Sequence, residues 1–241
     1  MLQNISLEQI LFLDIETVPE VPDFEHFSEE KQKLWDKRSA FFRTEDQLPS
    51  DVFGRAGIYA EFGKVICISV AMAYPKEGDF AARIKSYYGD EEVPILKEFI
   101  ALLNKLGLKD IHLCAHNGKE FDFPYLARRI LINGLTLPPA LDVAGKKPWE
   151  VPFLDTMELW KFGDYKHYTS LDLLSQIFQI PSPKADMDGS MVYEAYWKEK
   201  RLQDIVSYCE TDVLTVLQLF RKFQGKPIIP AERVESTTRF Q

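Results

Sequence analysis

The sequence predicts an α/β fold: a mixed sheet covered by helices, in a single domain. Three observations carry this. Apolar runs of strand length are concentrated in the first half of the chain, at 10–14, 64–74, 82–88 and 111–115. Helical periodicity alternates with the later strands, and beyond residue 156 the chain reads almost wholly helical. The 241 residues are 46% hydrophobic, enough to bury a substantial core in one large unit or two small ones, and one is the expectation.

The first strand begins with Ile10–Leu13 and continues into LFLDIETVPE at 11–20. In a strand the side chains of Asp14 and Glu16 point to the same face, about 7 Å apart along the chain. Two like charges that close repel, yet with 37 Asp and Glu residues acid-x-acid pairs arise by chance about six times in such a chain. A solvated strand end therefore explains the pair as well as a site does. Residues 20–62 then hold a charged helical stretch, SEEKQKLWDKRSAFFR, and a glycine-containing connection. That is long for a link between paired strands and marks a lid or covering element.

KVICISVAMAY and ARIKSYY read as a hairpin across PKEGDF. In EEVPILKEFIALLNKLG, Ile95, Phe99, Leu102, Leu103 and Leu106 recur at helix spacing. The strand IHLCA leads into a loop with Asn117 and Gly118 and then a second helix, FDFPYLARRILIN, whose apolar face holds Tyr125, Leu126, Ile130 and Leu131. VPFLDT reads as a further strand. SLDLLSQIF, residues 189–198 and RLQDIVSYCETDVLTVLQLFRKF read as helices, and the polar, proline-punctuated KPIIPAERVESTTRFQ as a tail.

A net charge of −8 argues against a broad basic surface for duplex binding, but does not exclude a local groove made positive by metal ions. Cys67, Cys114 and Cys209 are odd in number, widely spaced and set in apolar runs. That fits reduced core thiols of a cytoplasmic protein rather than a disulfide frame or a zinc site. MLQNISLEQI has no basic start, and no stretch approaches about 18 apolar residues, so neither export nor membrane insertion is expected.

Three segments bear the acids of interest: Asp14 and Glu16 on the first strand, Asp122 at a helix start, and Asp212 one turn from Tyr208 on the last helix. Asp122 alone would equally serve the positive end of a helix dipole. Four carboxylates can share one site only if cations neutralise them, and hard oxygen ligands favour Mg²⁺ or Mn²⁺. Two divalent ions balance the four charges. Such a pair, about 4 Å apart, suits in-line displacement at phosphorus.

D-I-E-T at 14–17, N-x3-F-D at 117–122 and Y-x3-D at 208–212 resemble, in order, the three motifs of the DEDD 3′–5′ exonuclease superfamily. The likeness is strongest to the proofreading domain of family B DNA polymerases, and specifically to its stand-alone predicted exonuclease relatives. It spans roughly 8–224. It implies a ribonuclease H-like fold with an exonuclease domain over 1–224, residues 20–62 as an insertion or lid, and 225–241 as a C-terminal tail. It also implies metal ligation by Asp14, Glu16, Asp122 and Asp212.

In the histidine subclass the base lies five residues before the last Asp, a position held here by Ser207, whereas Tyr208 fits the tyrosine subclass. A phenol with an ordinary pKa near 10 stays protonated at neutral pH, so the role implied for Tyr208 is to orient the attacking water. The resemblance further implies contacts to the terminal nucleotide from the Thr17 backbone and Asn117, and base stacking by Phe121. A core position is an equal alternative for Phe121. Asp155 and Asp172 read as capping or supporting groups. Lys146, Lys147, Lys161, Lys166 and Lys184 line a phosphate path or a solvated face. His112 and His116 sit on a strand-to-loop run, which argues against a zinc pair.

The implied activity is a metal-dependent 3′–5′ exonuclease releasing nucleoside 5′-monophosphates from single-stranded or frayed DNA, alone or beside a separate polymerase or repair partner. An exoribonuclease of the ribonuclease D or oligoribonuclease type shares the chemistry, since 2′-OH recognition is not visible in the motifs. A catalytically silent nucleic-acid-binding module is the alternative outside enzymes.

Overall fold

The computed structural model describes residues 2–107, 111–164, 168–181 and 187–239. Six strands form one sheet in the order β5-β4-β1-β2-β3-β6. β1 (Ile10–Pro19), β2 (Gly63–Lys76) and β3 (Asp79–Tyr88) are antiparallel neighbours, and β4 (His112–Ala115) and β5 (Leu154–Asp155) extend the other side in parallel. The β2–β3 hairpin closes through Glu77 and Gly78, both at positive φ (49° and 80°), which matches the twist of the flanking strands.

Alternation along β1 divides its side chains between two layers. Leu11, Leu13 and Ile15 pack toward α2 (Glu92–Leu106) and α3 (Asp122–Ile132). Ile10 and Phe12 pack on the opposite face against Val213, Val216 and Phe220 of the long helix α7 (Leu202–Phe223). Phe12 and Phe220 meet edge to face with centroids 5.8 Å apart. Among the described residues, no helix is long and apolar enough to cross a membrane.

Residues 20–62 build a small aromatic core of their own. α1 (Glu29–Ser39) buries Trp35 among Phe27, Phe53 and Phe62, and the indole N–H donates to the Pro49 carbonyl at 2.9 Å. A 3-10 turn over Phe53–Ile58 lies against the end of β1. Gly57 permits this approach, since a Cβ there would stand 3.0 Å from the Val18 backbone. Tyr125 Oη donates to the Gly57 carbonyl (2.7 Å), and Arg129 reaches the Ala60 carbonyl while paired with Glu92 at 2.5 Å, buried between α2 and α3.

Two expected elements differ. VPFLDT is strand only at Leu154–Asp155, because the Asp155 carboxylate accepts from the Met157 and Glu158 N–H groups and starts α4 (Thr156–Lys161). Within 225–241, expected as a tail, Val234–Ser236 forms β6 parallel to β3. The outer edge of β3 offers unpaired backbone groups. Glu210 of α7 then clasps the strand, accepting from Ser86, Ser236 and Thr238 hydroxyls. α5 (Leu171–Ile177) and α6 (Val192–Trp197) complete the helical layer.

Candidate active site

Because β1 alternates, Asp14 and Glu16 follow Ile10 and Phe12 on the face that α7 covers. The apolar part of α7 seals the first half of that face. One to three turns earlier the same helix carries Asp212, Cys209 and Tyr208, which meet the acids instead. The Cys209 thiol donates to Asp14 Oδ2 (3.3 Å), and ligand atoms of Asp14, Glu16 and Cys209 lie within 4.8 Å of one another. Asp14 and Asp212 are half-buried, while Glu16 and Asp122 are buried. The register of β1 on β2 shifts between Glu16 and Thr17, where the pairing skips a residue and the strand bends.

Asp122 reaches the same place from the first turn of α3, and its charge bears on both Asp14 and Glu16. Its approach depends on the preceding loop. Asp155 accepts from the Asn117 N–H (3.0 Å) and the Lys119 N–H (3.1 Å) as well as capping α4, so one carboxylate ties β5, α4 and this loop together. Asn117 adopts φ +61°, and Gly118 lies where a Cβ would come within 2.4 Å of the Ala115 Cβ. His116 bridges Thr156 Oγ1 and the Thr169 carbonyl, both at 2.9 Å.

The electrostatics of the four acids are those of an uncompensated cluster. Burial, then repulsion from Asp212, Asp122 and Glu16, pushes Asp14 well above the usual carboxylate range. Burial and then Asp212 do the same to Glu16. Burial raises Asp122 to about 7 and Asp212 to about 6. Among the described residues, no Lys, Arg or His forms an ion pair with any of the four. Burial, followed by the charges of Asp212 and Glu16, pushes the Tyr208 phenol far up, so it is protonated at neutral pH.

The remaining sequence candidates fall around this cluster. Thr17 is half-buried at the register shift of β1. Phe121 is half-buried against the main core, its ring 5.3 Å from that of Tyr125. Asn117 Oδ1 is buried without a hydrogen-bond partner. Lys147 lies over the Trp149 ring, and Lys166 and Lys184 lie outside the described residues. Sequence reasoning missed Cys209 as a neighbour of Asp14. The available signal was its i−3 spacing from Asp212, which puts both on one helix face. Asp172, read in the sequence as a capping or supporting group, bears on Asp212 by its charge from α5.

A family described as predicted 3′–5′ exonucleases related to the exonuclease domain of PolB matches residues 58–227. Among solved structures, the family B DNA polymerase of the hyperthermophilic archaeon Pyrobaculum calidifontis is similar with a TM-score of 0.51 at 17% identity, over 89% of this chain and 24% of that one. That likeness is one of fold, the ribonuclease H-like sheet with its helices. The chain spans about a quarter of the polymerase's length, 24%. No curated protein matches the sequence.

Proposed function

The chain belongs to the family of predicted 3′–5′ exonucleases related to the exonuclease domain of PolB, and from that premise we propose a metal-dependent enzyme that removes nucleoside 5′-monophosphates from the 3′ ends of single-stranded DNA. One observation carries the reading: the convergence of Asp14, Glu16, Asp122 and Asp212 without a cationic side chain paired to any of them among the described residues. Burying such charges is unfavourable unless protons or cations balance them. The all-carboxylate donor set fits Mg²⁺ or Mn²⁺. Two such ions, held by these four residues, would supply charge neutralisation and an acidified water.

The protein's own groups do the rest. Protonated at neutral pH and one turn from Asp212, Tyr208 orients the attacking water through its hydroxyl, and this reading makes the enzyme one of the tyrosine subclass. Asp155 holds the loop that presents Asn117, whose unpaired Oδ1 is an acceptor for the terminal nucleotide, beside the Thr17 backbone and the exposed part of the Phe121 ring. Residues 1–224 carry the activity, with 20–62 as a covering element, and 225–239 brace β3 from its edge.

End-labelled DNA and RNA oligonucleotides, single- and double-stranded, incubated with Mg²⁺, Mn²⁺ or chelator, test this directly. Single-nucleotide shortening of DNA from the 3′ end, dependent on metal, is expected. Faster digestion of RNA of the same sequence would make the protein an exoribonuclease, and no shortening of any strand would leave a binding module.

A further inference from the structure

We infer that Arg38 and Arg55 form a phosphodiester-binding surface on the 20–62 segment, gripping a single strand upstream of the end that enters the carboxylate cleft. The inference rests on the exonuclease reading for its direction, and on geometry for its site. Tyr59 and Phe42 stack with their rings 13° from parallel and 6.1 Å apart. Each ring carries one guanidinium: Arg38 Cζ lies 4.4 Å from the Tyr59 centroid and Arg55 Cζ 4.3 Å from that of Phe42. Stacking fixes a guanidinium by its face and leaves its edge donors directed outward.

Those donors are uncommitted. Six arginines of this chain pair with carboxylates: Arg43, Arg83, Arg129, Arg201, Arg221 and Arg233. Arg38 and Arg55 have neither an ion pair nor a side-chain hydrogen bond among the described residues, and both are exposed. Acids of the same segment answer elsewhere: Asp36 holds Arg43 at 2.5 Å and Asp51 accepts from the Leu48 N–H at 2.8 Å. The two guanidiniums, held flat, can each donate in parallel to the two non-bridging oxygens of a phosphodiester.

The third feature selects a nucleic acid over other polyanions. Phe41 is 81% exposed and lies on the turn closed by its own N–H to the Arg38 carbonyl. A solvent-facing ring on the same turn as Arg38 offers stacking to a base, which a polyglutamate chain has no ring to match. The surface is also near enough to the cleft. Gly57 touches Val18, two residues beyond Glu16, and Arg55 is two residues from Gly57. With consecutive Cα atoms about 3.8 Å apart, Arg55 lies within about 20 Å of Glu16, a span of a few nucleotides.

The test is fluorescence anisotropy in chelator, so that binding is read without hydrolysis, using oligodeoxythymidylate of about 15 nucleotides and a trinucleotide. Arg38→Ala/Arg55→Ala should bind the longer strand about tenfold more weakly and the trinucleotide unchanged. Its log K against log salt slope should flatten by about 1.4, two phosphate contacts at about 0.7 each. Arg38→Lys/Arg55→Lys should restore the slope without the full affinity, and Phe41→Ala should weaken oligonucleotide binding without changing the slope. Melting temperatures should not move. Unchanged affinity and slope, equal loss on the trinucleotide, or displacement of DNA by polyglutamate at equal charge would overturn the surface. If the double variant loses binding in a protein that never degrades DNA, the surface stands and the exonuclease reading falls. If an active nuclease binds unchanged, the surface alone falls.

Discussion

Cys209 Sγ donates a hydrogen bond to Asp14 Oδ2 at 3.3 Å, across 195 residues of sequence. Burial first, then its neighbour Cys67, raises the thiol well above its usual range, so it remains a donor. It orients one β1 carboxylate from the opposite layer of the fold. Cys209→Ala is expected to lower kcat/KM by about fivefold, the equivalent of about 1 kcal/mol. Cys209→Ser should recover most of that loss. Equal kinetics in wild type and Cys209→Ala would show that the contact is packing alone.

Asp14→Ala and Asp212→Ala should abolish hydrolysis while circular dichroism stays native, because each removes a proposed metal ligand at a half-buried position. Rates within tenfold of wild type, about 1.4 kcal/mol, would remove these residues from the mechanism. Tyr208→Phe should keep measurable turnover, since it deletes only the hydroxyl proposed to orient water.

Millimolar Mn²⁺ should raise the melting temperature, and chelator should return it to the apo value without unfolding the protein. Binding to the native state alone stabilises by about 2.7 kcal/mol at a hundred times the dissociation constant, or several degrees at about 2–4 °C per kcal/mol. Asp14→Asn relieves repulsion, so its chelated melting temperature should exceed that of wild type and its Mn²⁺ response should be blunted. Identical responses in the two proteins would exclude Asp14 as a ligand.

In chelator, stability should fall as pH rises from about 4 to 7. Asp122 titrates at about 7 and Asp212 at about 6 in the folded protein, against about 3.9 when unfolded. The folded state thus holds protons that the unfolded chain has released. Their contribution is full below pH ~4 and lost as pH passes through the folded values. Asp122→Asn, which keeps the shape of the side chain and removes the titrating group, should flatten this profile in urea melts at successive pH values. A wild-type profile no steeper than the variant's would refute the shifted acid.

Local periodicity was legible in this sequence. Alternation placed Asp14 and Glu16 on one face of β1, i,i+4 spacing placed Tyr208 by Asp212, and the hairpin turn lay within PKEGDF. Each is a property of one element, set by backbone geometry that repeats every two or 3.6 residues. Order along the chain also let three short motifs be read together, although the family match begins at residue 58 and leaves out Asp14 and Glu16.

What only tertiary structure decided are the relations between elements. Cys209 reads in sequence as a core thiol, and becomes a partner of Asp14 because α7 crosses β1 where its apolar contacts end. Asp155 becomes the organiser of the Asn117 loop because β5 lies beside β4. Residues 234–236 read as tail because a short polar strand carries no burial pattern, and β6 forms because the β3 edge supplies backbone partners. The aromatic core of 20–62, with two arginines stacked on it, has no period to detect: its rings come from a helix, a 3-10 turn and the loops between them. Such contacts depend on where separate elements meet in space, a distance that the spacing of residues along the chain does not encode.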